Sequence, residues 1–135
     1  MTAVRDAMVP EPLALDASAS AREAGERLSD PGVRAVLVCD DGALVGVITR
    51  KTLVREVVAA GRDPNTTELR AIAEPPNHTL DAAMDLDDAF RDIEERDLER
   101  VPVLEDGRLV GVLSRAVVQR RLAEDEPPPV EPELA

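Results

Sequence analysis

The sequence predicts an α/β protein made of two pseudo-symmetric units packed as a pair. Three observations carry this. First, a decamer occurs twice, "LVGVITRKTL" at 44–53 and "LVGVLSRAVV" at 109–118, which sets Gly46 and Gly111 65 residues apart. Second, the same offset holds upstream without a gap. There "VRDAMVPEPLALDA" at 4–17 aligns with "LRAIAEPPNHTLDA" at 69–82, pairing Arg5 with Arg70 and Pro10 with Pro75. Third, 135 residues, 44% of them hydrophobic, suffice for one compact domain or for two small modules sharing a core. Two copies are too few for a solenoid, so they are expected to pack on each other.

Each unit reads as strand, helix, strand, strand, helix. A short strand in "PLAL" opens the first unit, and one in "HTLD" opens the second. The next helix runs from Ala19 to Leu28 and puts Ala21, Ala24, Gly25 and Leu28 on one face. Its partner, from Asp85 to Ile93, repeats the spacing with Leu86, Ala89, Phe90 and Ile93. Ser18 or Ser20 is the expected cap of the first helix and Asp85 of the second. Two β-branched runs then flank Asp41-Gly42, with a counterpart around Asp106-Gly107. An Asp-Gly pair between apolar strands signals a hairpin, because a type I′ turn needs positive φ at both central residues.

The second helix starts at Thr49 and stops at Gly61, a residue suited to a helix C-terminus. Its copy starts at Ser114. The stretch "GRDPNTTE" is a connector rich in turn formers. The closing "EDEPPPVEPELA" is acidic and proline-rich, so the chain is expected to be extended or mobile beyond about residue 123. These signals divide the chain into a first unit with the start of the connector at 4–62, a second unit at 63–122 and a tail at 123–135.

Composition excludes several function classes. The 28 acidic and 16 basic residues give a formal net charge of -12, a field that repels nucleic-acid backbones and anionic membrane surfaces. Phe90 is the sole aromatic residue, so there is no stacking platform for single-stranded bases. No apolar run reaches the length of a membrane span, and "MTAVRDAMVPEP" lacks the features of a secretory signal. A soluble cytoplasmic protein is the expectation, with neither nucleic acid nor membrane as a partner. Cys39, in the apolar run "VLVC", is expected to be a buried inert thiol. His78, beside Pro75, Pro76 and Asn77, is expected to be solvated or capping. A single cysteine and a single histidine build neither a disulfide nor a structural zinc site, and no nucleophile motif accompanies them. The chain is not expected to be an enzyme.

The repeated decamer carries the chemistry that could serve a ligand. Thr49 and Ser114 close a strand and open a helix, so their hydroxyls and the following N–H groups face an incoming anion. Arg50 and Arg115 can add charge-assisted hydrogen bonds there. Gly46 and Gly111 can admit a close backbone approach. The same hydroxyls also serve as N-caps, the glycines as relief between strands, and the arginines as solvated surface.

Taken together, "VRDAMVP", "VPVLEDGRLVGVLS", the Gly-to-Thr or Gly-to-Ser endings at 46–49 and 111–114, and the tandem spacing resemble a pair of cystathionine-β-synthase (CBS) domains, or Bateman module. The resemblance spans residues 4 to about 122 and looks most like stand-alone bacterial pairs of the hypoxic response type. It implies a regulatory module that does no chemistry and requires no cofactor. It also implies a homodimer that holds AMP, ADP, ATP or S-adenosylmethionine between its units and acts on a protein target. Of the positions that match the motif, Gly46, Thr49, Arg50, Thr52, Ser114 and Arg115 are the implied ligand-binding residues. The family's ribose-binding aspartate is replaced by Thr52 in the first copy and Val117 in the second. Each lost charge-assisted hydrogen bond costs roughly 1.5–3 kcal/mol. Binding is therefore expected to be weakened and to favour the cleft of Thr49, Arg50 and Thr52, with Thr52 facing it. The alternative is a dimeric scaffold or stress-response adaptor whose nucleotide sites have decayed.

Overall fold

A computed structural model describes residues 2–10 and 14–125. Its strands are β1 (Val9–Pro10), β2 (Ala14–Asp16), β3 (Ala35–Asp40), β4 (Ala43–Thr49), β5 (Leu80–Asp81), β6 (Arg100–Glu105) and β7 (Arg108–Ser114). The helices are α1 (Ala21–Leu28), α2 (Arg50–Leu53), α3 (Leu86–Glu95) and α4 (Arg115–Asp125). The mixed α/β architecture and the repeated strand–helix–strand–strand–helix order are those the sequence predicts. Helix α1 starts two residues later than expected, because Ser20 is its cap and accepts from Glu23 N–H at 3.2 Å. Ser18 instead hydrogen-bonds Asp16 at 2.5 Å. Asp85 caps α3.

Both hairpins close as the Asp-Gly pairs require. Asp41 and Gly42 take φ of 50° and 83°, and Asp106 and Gly107 take 53° and 78°. The sheet order is β2-β3-β4-β7-β6-β5, with β1 added to β7. The two halves join at the hairpin tips, where Ala43 pairs with Arg108 and Leu109 N–H donates to the Gly42 carbonyl at 3.0 Å. Arg108 also donates to the Asp41 carbonyl, which ties one turn to the other unit.

The second helix of the first unit departs from expectation. Only Arg50–Leu53 is α-helical, and Val54–Val58 forms a wider π-helical turn. This run is rich in β-branched residues, which lose side-chain freedom in an α-helix. Gly61, at φ 70°, ends the segment as anticipated. The counterpart α4 has "QRRLAED" where the first unit has "VREVVAA", and it stays α-helical to Asp125, past the expected end of order at 123. The rest of the acidic tail lies outside the described residues.

Packing reveals an exchange. The first unit's core holds Leu15, Leu28, Val36, Val38 and Ile48, but it is completed by Leu69 and Ile72 from the opening of the second repeat. The second core holds Leu86, Ile93, Val101, Val103 and Leu113 and is completed by Val4 and Ala7 from the first. Backbone bonds fix both segments symmetrically. Val4 and Arg5 donate to the carbonyls of Met84 and Ala82, while Leu69 and Arg70 donate to those of Ala19 and Ala17, at 2.8–3.0 Å. Each opening segment then runs on to the last strand of the other unit. Val9 pairs with Val112, and Glu74 with Val47.

Candidate functional site

The exchanged segments explain the repeated glycines. A Cβ at Gly46 would come within 2.7 Å of both the Ala73 Cβ and the Glu74 carbonyl oxygen. At Gly111 it would come within 2.5 Å of Met8 Sδ and 2.7 Å of the Val9 carbonyl. Each glycine admits the crossing strand, the close backbone approach expected from sequence, with protein backbone as the approaching group.

Thr49 caps α2, and it does so reciprocally with Thr52. Thr52 N–H donates to Thr49 Oγ1 at 3.2 Å, and Thr49 N–H donates to Thr52 Oγ1 at 3.1 Å. Thr52 is fully buried, so the expectation that it faces a cleft is corrected: its hydroxyl closes the capping box. The Arg50 guanidinium turns toward the end of α1, donating to the carbonyls of Leu28 at 2.5 Å and Asp30 at 2.9 Å. Arg115, at the matching position, pairs with Asp97 at 3.1 Å and Glu99 at 3.4 Å in the segment after α3. Both arginines therefore brace the second helix of a unit against the end of its first. Ser114 and Val117 are half-buried at the start of α4.

A cavity sits one turn further along, between the first unit and the segment that crosses to it. An open cleft of about 650 Å³ is walled by Arg55 and Glu56 of the π-helical turn on one side and residues 71–77 of the exchanged segment on the other. Arg55 forms an ion pair with Glu74 across it and lies 3.5 Å from Glu56. The Glu74 backbone is held by two hydrogen bonds with Val47, at 2.8 and 3.0 Å. None of Thr49, Arg50 and Thr52 is among the wall residues. Sequence reasoning missed Arg55 and Glu74 because nothing local links them. The repeat offset makes Glu74 equivalent to Val9 and Val47 to Val112, but only the structure pairs Glu74 with Val47 and Val9 with Val112.

His78 is not simply solvated, as the sequence suggested. It is half-buried and pairs with Asp92 of α3, which also accepts from Arg96 at 2.9 Å. The Arg96 hydrogen bond, and then the His78 one, hold the Asp92 carboxyl below its ordinary value. Cys39 is partly buried, and burial, with the charge of Asp16, pushes its thiol up and away from reactivity. Among the described residues no group of three or more His, Cys, Asp or Glu side chains is placed to hold a metal ion. No described helix is long and apolar enough to cross a membrane.

Two α/β repeats that share one sheet and complete each other's cores define a tandem module. The CBS domain family model matches residues 4–59 and 69–124, and the chain belongs to that family. It is 30% identical over 125 residues to hypoxic response protein 1 of Mycobacterium tuberculosis, covering 92% of this chain and 87% of that protein. A crystal structure of Hypoxic Response Protein I with two coordinated zinc ions superposes with a TM-score of 0.74 at 29% identity, covering 90% of this chain and 99% of that one. The crystal structure of CBSX2 in complex with AMP superposes with a TM-score of 0.72 at 25% identity, covering 93% and 98%. Stand-alone CBS-pair proteins are typically regulatory, and CBS pairs often bind adenosine ligands.

Proposed function

We propose that this protein is a non-enzymatic, cytoplasmic sensor of an adenosine compound, which it holds in the cleft between its two units and reports to a protein target. The observation that supports this is the position of the cleft. One wall is the π-helical turn of the first repeat and the other is the crossing segment of the second, so a ligand bound there touches the segment that links the two repeats. The AMP complex of a relative with the same fold supports the ligand class. In this reading Gly46, Thr49, Arg50, Thr52 and their counterparts Ser114 and Arg115 set the frame of the clefts.

A thermal-shift panel of AMP, ADP, ATP and S-adenosylmethionine tests the proposal. A ligand at a hundredfold excess over its dissociation constant adds about 2.7 kcal/mol of stability. No shift with any of them, and no heat of binding at millimolar ligand, would overturn it.

The scaffold reading is favoured by a different observation. The hydroxyls and guanidinium groups of Thr49, Thr52, Arg50 and Arg115 are already engaged within the protein. Under either reading a homodimer is expected. Val54 and Val58 are 59% and 73% exposed on one π-helical turn, and a twofold axis would cover both copies of such a face. Val57 and Val118 are buried in their own cores and take no part in that face. Light scattering should give twice 14.5 kDa. A monomer at micromolar concentration would refute the dimer.

A further inference from the structure

We propose that Glu74, with Glu56, sets the charge the first cleft accepts, so that it takes an adenosine compound with one phosphate or none and rejects di- and triphosphates. This rests on the sensor reading and names its ligand class. Among the described residues the cleft walls carry one cation, Arg55, and two carboxylates, Glu56 and Glu74, within a protein of net charge -12. Both carboxylates approach the same guanidinium. An incoming phosphate can replace Glu74 as the partner of Arg55 at little cost, because the pair is half-exposed, at 50% and 41%, and such pairs are weak. Further phosphates find no second cation and meet the displaced carboxylate.

The Glu74 backbone cannot withdraw, since it exchanges two hydrogen bonds with Val47 and lies tight against Gly46, so its carboxylate stays within side-chain reach of the cleft. The other repeat lacks this device. The 65-residue offset places Arg121 at the position of Glu56 and Val9 at that of Glu74. The matching position of the other repeat is therefore not expected to make this selection.

Titration calorimetry with adenosine, AMP, ADP and ATP, without divalent cations, compares wild type with Glu74→Gln and Glu56→Gln. At low salt each phosphate beyond the first is expected to weaken wild-type binding about threefold to tenfold, and the differences should shrink as salt rises. Glu74→Gln, which keeps shape and hydrogen bonding, should strengthen ATP binding more than AMP binding and narrow their ratio at least threefold. Arg55→Lys should keep AMP binding within about tenfold, while Arg55→Met should reduce it toward that of adenosine. An AMP-to-ATP ratio identical in wild type and Glu74→Gln overturns this proposal and leaves the sensor reading intact. Absence of binding by all four compounds in all variants, each still folded by its thermal melt, overturns both.

Discussion

Leu69→Ala is expected to destabilise the whole protein by about 2–5 kcal/mol, although Leu69 belongs to the opening of the second repeat. Its side chain is fully buried in the core of the first unit, among residues such as Leu15, Val36 and Ile48. Truncation removes about three methylene-sized groups from a site fixed by backbone bonds to Ala17 and Ala19, so the walls can relax only partly. Chemical denaturation checks the magnitude, and hydrogen exchange checks the location. Protection should fall first in β3 and β4, which lie in the other repeat. A loss confined to β6 and β7, or a cost under 1 kcal/mol, would contradict the exchanged-core packing.

The second large effect is expected at the repeated glycines, and it should be unequal. Gly46→Ala should cost about 1–3 kcal/mol and Gly111→Ala less. The new methyl at 46 meets the Cβ of Ala73 and the Glu74 carbonyl, neither of which can move without breaking the pairing with Val47. At 111 one of the two close neighbours is the Met8 thioether, a flexible group that can change rotamer. For a chain of this size each kcal/mol shifts the melting temperature by roughly 3–5 °C, so a calorimetric scan resolves the order. Equal costs would mean that the carbonyl contacts common to both sites decide the outcome. Gly46→Ala should also loosen ligand binding, since Glu74 is the next residue along the crossing segment.

What the sequence disclosed follows the range of the interactions involved. The Asp41-Gly42 and Asp106-Gly107 hairpins were legible because turn chemistry depends on two adjacent residues. The caps Ser20 and Asp85 were legible because a cap bonds three residues ahead. Thr49 was read correctly as a helix-opening residue. Its partner Thr52 was placed wrongly, because a family position normally held by a charged group says little about where a hydroxyl turns once it can bond the backbone instead. The roles of Arg50 and Arg115 were open at the sequence level, since their long side chains reach partners 16–22 residues away. The same distance problem hid the His78–Asp92 pair and, above all, the cleft. Its walls are neighbours only because residues 71–77 cross to the other unit, and a repeat alignment gives register without saying which copy receives which segment.

That crossing has a bearing on how such a chain could arise. A single repeat, present as its own molecule, would carry both an opening segment and a core that lacks one, so two copies would close on each other by mutual exchange. Duplication with a short connector turns that encounter into an intramolecular event, at an effective concentration on the order of millimolar. The two halves are then freed from being identical. One copy can keep an arginine between two carboxylates while the other becomes basic at the same station, and a symmetric receptor becomes one with two distinguishable seats.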